Sequence, residues 1–562
     1  MQSLREGGMR EYEYHLVEEV RAGRLTRRQL FVRATVAGLS ASSVGALLAA
    51  CGGSSSSSKS TTTAAAAGAV KRGGTFRLGC AVPTADVDPV FLFDQGGIFT
   101  AQLAGETLCK RMADTSLQPR LATSWRQVGS AKEWEFKLRQ GVTWHDGRPL
   151  TADDVVATMK MLTDPKVGSS ALSAFSGVLS PDGVRKVDDQ TVRFSLDRAY
   201  VDFPYTVSDD NYNSIILPAD YKKGSFSKGN IGTGPFILKQ LTPKQGATFV
   251  ANPKYWGKDG KNGALPYLAG VQVKYFNDPQ STVLSLQSGG IDIYPQMAYA
   301  TARGLFNDPN VHVLELPSSE HRTVAMRTDQ APFDDKRVRQ ALAYSIDRDA
   351  LVKGLFGGKA KVGNDHTFAP VYPFAPTEAE VPQRKQDYAK AKQLLAAAGH
   401  ANGVTVPTLI VEQFLDVPEY AQLLQDQAKG GGITMKLHQE SQSIFYNKVW
   451  LQTPFGIVDW GGRGSVSPLI EPAYTKKGIW NSSHWKNTQF DKLVSQFDAE
   501  ADEGRRKQIA AQAAKIQNDE TPTLISFFLN GLRGVRKNVQ GIENGPVDHI
   551  DASKVWLSGA AA

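Results

Sequence analysis

Hydrophobic residues recur along the chain with two different periods, and this mixture limits the possible folds more than any other feature. Segments such as GGTFRLGCAV and QTVRFSL alternate every second residue, which is typical of strands. The segment TADDVVATMKMLTD instead repeats every three to four residues and has Thr151 as a predicted N-cap. Both patterns continue through residues 70–562, which predicts an α/β fold with no long linker after residue 70.

Several longer segments give more specific predictions. FILKQLTPKQGATFVAN predicts a hairpin with a Pro-Lys-Gln-Gly turn, and VQVKYFNDPQSTVLSLQSGGIDIYPQ predicts strand, helix and strand. DDKRVRQALAYSIDRDALVKGLF predicts one helix, and the polar run from Asn487 to Asn518 predicts another, longer one.

The first fifty residues have the pattern of an export signal. Arg27 and Arg28 precede the mildly apolar run ATVAGLSASSVGALLAA, and this pair resembles the twin-arginine signal of the Tat pathway. The run ends in Leu-Ala-Ala-Cys at Cys51, which resembles a bacterial lipobox. An uncleaved transmembrane helix is the alternative, but it leaves the three serines and the stop at Cys51 unexplained. We therefore predict a signal peptide over residues 1–50 and diacylation of Cys51.

The residues after Cys51 are almost entirely small and polar. CGGSSSSSKSTTTAAAAG predicts a flexible tether over residues 51–69, with a typical reach of roughly 25 Å. Two acyl chains give stable membrane anchoring, which one chain does not. The sequence therefore predicts an exported protein held by lipid at the outer face of the cytoplasmic membrane.

Composition excludes some classes of protein. The formal net charge of +8 is mild for 562 residues, and no dense basic run is interleaved with aromatic residues, so we expect no nucleic-acid partner.

A chain of this length should form two or three domains. Cys80 and Cys109 remain after lipidation, and we expect two buried thiols, with a disulfide as the alternative.

The familiar catalytic motifs are missing from the sequence. It contains no Gly-x-Ser-x-Gly, no Walker loop and no His-Glu-x-x-His, and its nine histidines are scattered singly. His145-Asp146 and GTGPF (residues 232–236) are interpreted as turns, since GTGPF leads into a strand pattern and not into a helix. We therefore predict a binding protein without catalytic activity, cofactor or metal site.

Aromatic residues are concentrated between Tyr446 and Trp485. About half of the aromatic side chains in this segment are expected in a core, and the others suit a concave small-molecule site.

Five ordered segments resemble one family together. They are EFKLRQGVTWHDGRPLTADDVVATMK, GTGPFIL, NPKYWG, PFDDKRVRQALAYSIDRDAL and YAKAKQLLAAAG. In order and spacing they resemble the family 5 extracellular solute-binding proteins of ABC importers, the dipeptide, oligopeptide and nickel-type receptors. The resemblance covers essentially the whole chain after the tether.

This resemblance implies a bilobal fold of the type II periplasmic-binding-protein kind with an inserted domain. Domain I would comprise residues 70–103, 228–321 and 523–562, domain II residues 104–227, and domain III residues 322–522. Ligand would bind between the lobes and favour closure. The closed receptor, a monomer, would then deliver its solute to an ABC permease and its ATPase.

The same resemblance addresses the substrate. In peptide-binding relatives, an aspartate shortly after a tryptophan-containing strand pairs with the peptide amine. Here the stretch reads VDWGGRGSVSPLI, which places Gly462 at the acidic position with Arg463 beside it. Arginine favours a carboxylate, phosphate or other anionic group. Asp459 could replace the missing acid if the loop is shifted, and an internal salt bridge is the alternative role for Arg463.

The predicted ligand-binding residues follow from these interpretations. Trp460 and Trp480 are predicted as stacking walls, Asp459 and Arg463 as polar anchors, and Asn481 as a hydrogen-bonding residue. Further predicted cleft residues are Phe93, Asp94, Gln296 and Arg322. Three other functions stay open: a peptide receptor with a displaced acidic anchor, a secreted enzyme with an unrecognised site, and a sensor that does not transport.

Overall fold

The computed structural model describes residues 70–229, 231–543, 545–546 and 548–559. The predicted export signal with Arg27 and Arg28, the lipidation site Cys51 and the tether lie outside the described residues. Within the described ranges, none of the helices has the length and apolar character that crossing a membrane requires.

Strands and helices alternate along the chain. The strands are β1 Thr75–Ala81, β2 Cys109–Arg111, β3 Leu117–Pro119, β4 Ala122–Val128, β5 Ser130–Leu138, β6 Val184–Asp188, β7 Thr191–Ser195, β8 Phe236–Thr242, β9 Gly246–Ala251, β10 Gly270–Phe276, β11 Ile293–Met297, β12 Val311–Leu316, β13 His321–Met326, β14 Ala360–Val362, β15 Val404–Thr405, β16 Leu409–Glu412, β17 Ile433–Thr434, β18 Leu437–Glu440, β19 Phe455–Trp460, β20 Thr523–Leu529, β21 Gly531–Arg536, β22 Val539–Gln540 and β23 Trp556–Leu557. The α-helices are α1 Gln95–Gln102, α2 Ala152–Thr163, α3 Leu172–Phe175, α4 Phe203–Thr206, α5 Pro279–Ser288, α6 Tyr299–Ala302, α7 Lys336–Tyr344, α8 Arg348–Phe356, α9 Tyr388–Ala397, α10 Val417–Gly430, α11 Gln442–Ile444, α12 Ser467–Tyr474, α13 Thr488–Ala499 and α14 Glu503–Glu520.

Two of the larger sheets share one hydrophobic core and form the first lobe. The seven-stranded sheet has the order β12-β21-β11-β1-β10-β9-β8, and the four-stranded sheet has the order β4-β5-β7-β6. Phe76 and Val273 of the first sheet and Phe136 and Phe194 of the second belong to the same buried cluster. The chain enters and leaves this lobe more than once, which explains how residues distant in sequence build one sheet.

A six-stranded sheet with the order β14-β20-β13-β19-β16-β18 forms the second lobe. Val324, Phe455 and Phe527 are buried in its core. Strand β16 pairs in parallel with both β18 and β19. Because parallel strands end at the same sheet edge, the loops after β16 and β19 emerge side by side.

Short segments connect the two lobes. Residues 317–320 lead from β12 into β13, and Asn530 separates β20 from β21. The bilobal α/β fold is therefore confirmed, whereas the exact domain boundaries stay a prediction.

The local predictions were partly correct. Strands β8 and β9 pair antiparallel as the predicted hairpin, and the backbone nitrogen of Thr151 donates to the Asp154 carboxylate at 2.9 Å at the start of α2. The two long helix predictions were wrong. Asp347 begins α8 by accepting from the nitrogen of Ala350, and Asp502 begins α14 in the same way, so each predicted helix is divided in two.

The remaining local predictions concern turns and thiols. The ring of His145 hydrogen-bonds to the carbonyl of Gly234 at 3.0 Å, and Asp146 accepts from the backbone of Arg148, which agrees with a structural turn. Cys80 and Cys109 are both buried and unbridged.

Candidate functional site

A cavity of about 420 Å³ lies between the lobes. The first lobe contributes the loop before α1, the β2–β3 hairpin and β11, and the second contributes the loops after β16 and β19. The lining residues are Phe93, Gln95, Arg111, Met112, Ala113, Thr115, Tyr212, Gln296, Pro317, Ser318, Ser319, Glu320, Val371, Phe414, Leu415, Tyr446, Asp459, Gly461, Gly462, Arg463, Pro546 and Asp548. Its size and mixed polarity suit a small organic molecule.

Arg463 lies in the loop that follows β19. Its backbone nitrogen donates to the Ser319 hydroxyl at 2.8 Å, and that hydroxyl donates to the Arg463 carbonyl at 3.1 Å. These bonds fix the loop to the segment that connects the lobes. Arg463 lines the cavity, and its guanidinium makes no ion pair or side-chain hydrogen bond with any residue that the structure describes.

Arg111 is the other arginine in the cavity wall, and its charge is already balanced. Its guanidinium lies 2.7 Å from Asp210 and 2.8 Å from Asp548. All three side chains are largely buried, with Asp548 the most accessible. An anionic ligand would therefore gain less from an ion pair with Arg111 than from one with Arg463.

Arg322 lies fully buried in strand β13 of the second lobe, outside the cavity lining. Its guanidinium is 2.6 Å from Asp416 and 3.2 Å from Glu320, and it also donates to Asp459. Asp459 and Glu320 both line the cavity. Asp459 is thus part of an internal ion pair and is not a free acid.

This cluster contains three carboxyl groups for one guanidinium, and burial changes their protonation. Desolvation raises the pKa of Glu320 to about 7, although Arg322 opposes the shift. Desolvation also raises the pKa of Asp459, against the attraction of Arg322. Part of this negative charge is therefore neutralised by protons near neutral pH.

The tryptophans form a group beside the cavity. The ring centroids of Trp450, Trp460 and Trp480 lie 5.8 to 6.5 Å apart in their three pairs. Trp480 lines a smaller pocket of about 50 Å³ that shares Arg463 with the main cavity. Trp485 is buried in the core of the second lobe.

The structure separates the predicted site residues into two sets. Those that line the main cavity are Phe93, Gln296, Asp459 and Arg463. Those placed outside its lining are Asp94, Arg322, Trp460, Trp480 and Asn481.

The residues of the second set have visible structural roles. Asp94 is the N-cap of α1, and its carboxylate accepts from the nitrogen of Gly97 at 2.8 Å. The Asn481 amide donates to the carbonyls of Thr475 and Trp485 at 3.0 and 2.8 Å, so it shapes the turn around it.

Sequence reasoning missed Arg111, Glu320 and Leu415. Arg111 belongs to a strand of three residues with no motif, and Glu320 lies in a connecting segment without periodicity. Leu415 had a usable signal, because it is the last residue of the strand-like segment PTLIVEQFL and ligands commonly bind at the carboxyl ends of parallel strands.

Residues 116–480 match the family model described as bacterial extracellular solute-binding proteins, family 5 Middle. The chain belongs to family 5 of the bacterial extracellular solute-binding proteins. Members are substrate-binding receptors of ABC importers outside the cytoplasm, and this chain is one of them. The predicted family is therefore confirmed.

Individual relatives of this family 5 receptor cover nearly its whole fold. The Heme-binding protein A of Haemophilus influenzae is 26% identical over 470 residues, covering 78% of this chain and 83% of that protein. The periplasmic binding protein DppA of Helicobacter pylori, solved in complex with the peptide STSA, superposes with a TM-score of 0.72 at 21% identity, covering 87% of this chain and 99% of that one. AgaA of A. tumefacien R10, solved with agropinic acid, has a TM-score of 0.72 at 23% identity, with 87% and 99% coverage.

Proposed function

We propose that this receptor is a lipoprotein that captures a small organic anion between its lobes and delivers it to an ABC permease. The single observation that carries the proposal is that Arg463 lines the cavity and that its guanidinium has no ion-pair partner among the described residues. A buried or half-buried charge is costly unless it is paired, so a ligand carboxylate or other anionic group would complete the site.

The arrangement around Asp459 supports the same conclusion. A peptide ammonium would need a free carboxylate, but Asp459 already accepts from the buried Arg322. The relatives named above are described with ligands as different as heme, a peptide and agropinic acid, so family membership leaves the ligand class open.

One observation favours a second candidate, a peptide receptor with a displaced acidic anchor. Glu320, Asp416 and Asp459 together outnumber the single Arg322 that they contact. A ligand ammonium could take the place of the proton that this cluster retains near neutral pH.

The deciding experiment identifies the molecule that co-purifies with the receptor. The protein is denatured, and the released small molecules are analysed by mass spectrometry. We expect an acidic non-peptide that is lost from Arg463→Gln but retained by Arg505→Gln, a matched change at an exposed arginine outside the cavity. A released peptide that persists in Arg463→Gln would contradict the anionic assignment and favour the second candidate.

The lipid anchor is tested separately from the ligand. We expect Cys51→Ser to move the receptor from the membrane fraction into the soluble fraction, because it removes both acyl chains. Ser54→Ala in the predicted tether is the control and should leave the receptor membrane-bound. An unchanged distribution of Cys51→Ser would contradict lipidation.

A further inference from the structure

Two large apolar side chains are exposed inside the cavity, one from each lobe. Phe93 is 61% exposed and Leu415 is 44% exposed, and both line the same cavity as Arg463. Exposed apolar surface within a concave site indicates contact with an apolar part of a ligand.

The loop that carries Phe93 is held rigidly by its neighbour. The Asp94 carboxylate accepts from the backbone nitrogen of Thr84 at 3.1 Å, from the Thr84 hydroxyl at 2.9 Å and from the nitrogen of Gly97 at 2.8 Å. These bonds tie the loop after β1 to the first turn of α1. Phe93 is therefore held in an exposed position by fixed backbone.

Leu415 occupies a strained backbone conformation. Its φ angle is +45°, in the left-handed region that disfavours a residue with a side chain. Such strain persists where neighbouring contacts determine the backbone, and it is concentrated at ligand sites.

The neighbouring contacts that maintain this strain are visible. The Asp416 carboxylate accepts from Arg322 Nε at 3.2 Å and Nη2 at 2.6 Å. The nitrogen of Gln413 donates to the carbonyl of Glu440 at 2.9 Å, which fixes the other end of the loop. Glycine would adopt this positive φ angle with less strain, so the leucine side chain at this position destabilises the backbone locally.

We propose that Phe93 and Leu415 form an apolar clamp that selects small monocarboxylates with an aryl or branched alkyl body. The ligand carboxylate binds Arg463, and its apolar body lies between the two clamp residues. Because the residues belong to different lobes, the apolar body contacts both only in the closed receptor and so favours closure. This inference rests on the proposed function and names the ligand class of the same site.

The test measures binding of three probes to the purified receptor by calorimetry. The probes are 4-phenylbutyrate, succinate and 4-phenylbutanamide, which separate the apolar body from the charge. We expect 4-phenylbutyrate to bind about 10-fold more tightly than either of the others, from the added apolar contact or the added ion pair.

Variants distinguish the contribution of the clamp residues from that of Arg463. Phe93→Ala and Leu415→Ala should each weaken binding of 4-phenylbutyrate about 10-fold and leave binding of succinate unchanged. Leu284→Ala is the control, since Leu284 is 65% exposed on α5 and lies outside the cavity lining. Leu415→Gly should also weaken 4-phenylbutyrate, yet it should melt at a higher temperature than Leu415→Ala because glycine tolerates the positive φ.

Each outcome decides between the two proposals. The clamp is overturned if succinate binds as tightly as 4-phenylbutyrate and if Phe93→Ala and Leu415→Ala do not change the affinity. Anion capture remains intact in that case if Arg463→Gln no longer binds succinate. Equal binding of 4-phenylbutyrate and its amide, unaffected by Arg463→Gln, overturns anion capture and leaves the clamp intact. No binding of any probe at millimolar concentration overturns both.

Discussion

Asp202 and Arg506 form a bidentate, largely buried ion pair that joins the two lobes away from the cavity. Arg506 Nη1 donates to Asp202 at 2.8 Å, and its Nη2 donates to the second carboxylate oxygen. The Ser467 hydroxyl also donates to this carboxylate at 2.8 Å, and the arginine lies 4.0 Å above the centroid of the Phe497 ring. The two lobes are therefore in direct contact at a place away from the cavity.

We expect Arg506→Ala to lower the stability of the receptor. Removing one partner leaves Asp202 buried and unpaired, which typically costs about 3 to 5 kcal/mol. Urea denaturation would measure the loss. Arg505→Ala, one residue earlier in α14, removes only an exposed pair with Glu500 and should lower the stability much less. Equal effects of the two changes would contradict a structural role for the inter-lobe pair.

Stability should also depend on Glu320. Its pKa is raised by burial from an ordinary value of 4.5 to about 7, so the folded receptor retains this proton after the unfolded chain has lost it. The free energy of unfolding should therefore fall as pH rises through this interval, by about 3 kcal/mol from this group. Glu320→Gln should remove that loss.

The measurement compares the melting temperatures of the wild type and Glu320→Gln at about pH 5 and about pH 8. The melting temperature of Glu320→Gln relative to that of the wild type should be higher at about pH 8 than at about pH 5. Asp153→Asn, a matched loss of charge at an exposed surface pair, should show no such relative gain. A constant difference between wild type and Glu320→Gln across this range would contradict the raised pKa.

Affinity for an anionic ligand should follow the same titration. Glu320 lines the cavity together with Arg463, so its negative charge repels a ligand carboxylate. Protonation removes this repulsion, and we expect binding of 4-phenylbutyrate to strengthen several-fold from about pH 8 to about pH 6. Calorimetry on Glu320→Gln should show a flatter profile. Weaker binding at the lower pH would count against an anionic ligand.

Two adjacent glycines provide a test of the Arg463 loop. A Cβ added at Gly462 would lie 2.3 Å from the Ser318 hydroxyl oxygen, whereas one added at Gly461 would meet nothing within 4 Å. Gly462→Ala should rotate the Ser318 hydroxyl away from the Glu320 backbone nitrogen, from which it accepts at 3.0 Å, and weaken ligand binding by about 3-fold because one hydrogen bond in the cavity wall is disturbed. Gly461→Ala should bind normally. Similar affinities for both variants would show that the contact between Gly462 and Ser318 does not affect the ligand.

The fold was predictable to a large extent because periodicity and capping act locally. The alternation of strand and helix patterns predicted the α/β class, and the hairpin of β8 and β9 followed from a turn between two strand patterns. The helix break at Asp347 was missed because the apolar spacing continues across it. The extended backbone of Asp347 and the hydrogen bond that its side chain accepts from the nitrogen of Ala350 mark the new helix.

The candidate site was less predictable because its electrostatics depend on distant residues. Arg322 and Arg463 are both plausible ligand anchors in the sequence. The structure pairs Arg322 with Asp416 and Asp459, which are 94 and 137 residues away, and leaves Arg463 without an ion pair among the described residues. Pairing between such distant residues requires the assembled sheet, so no local pattern reports it.

The sequence by itself determined the family, the α/β class and the candidate loop around Arg463, since these follow from ordered motifs and local periodicity. The tertiary structure decided which charges are balanced inside the protein, and it placed Leu415 in the cavity together with the predicted Phe93. The physical reason is that desolvation and ion pairing depend on distances in space, which the folded chain sets between residues far apart in sequence.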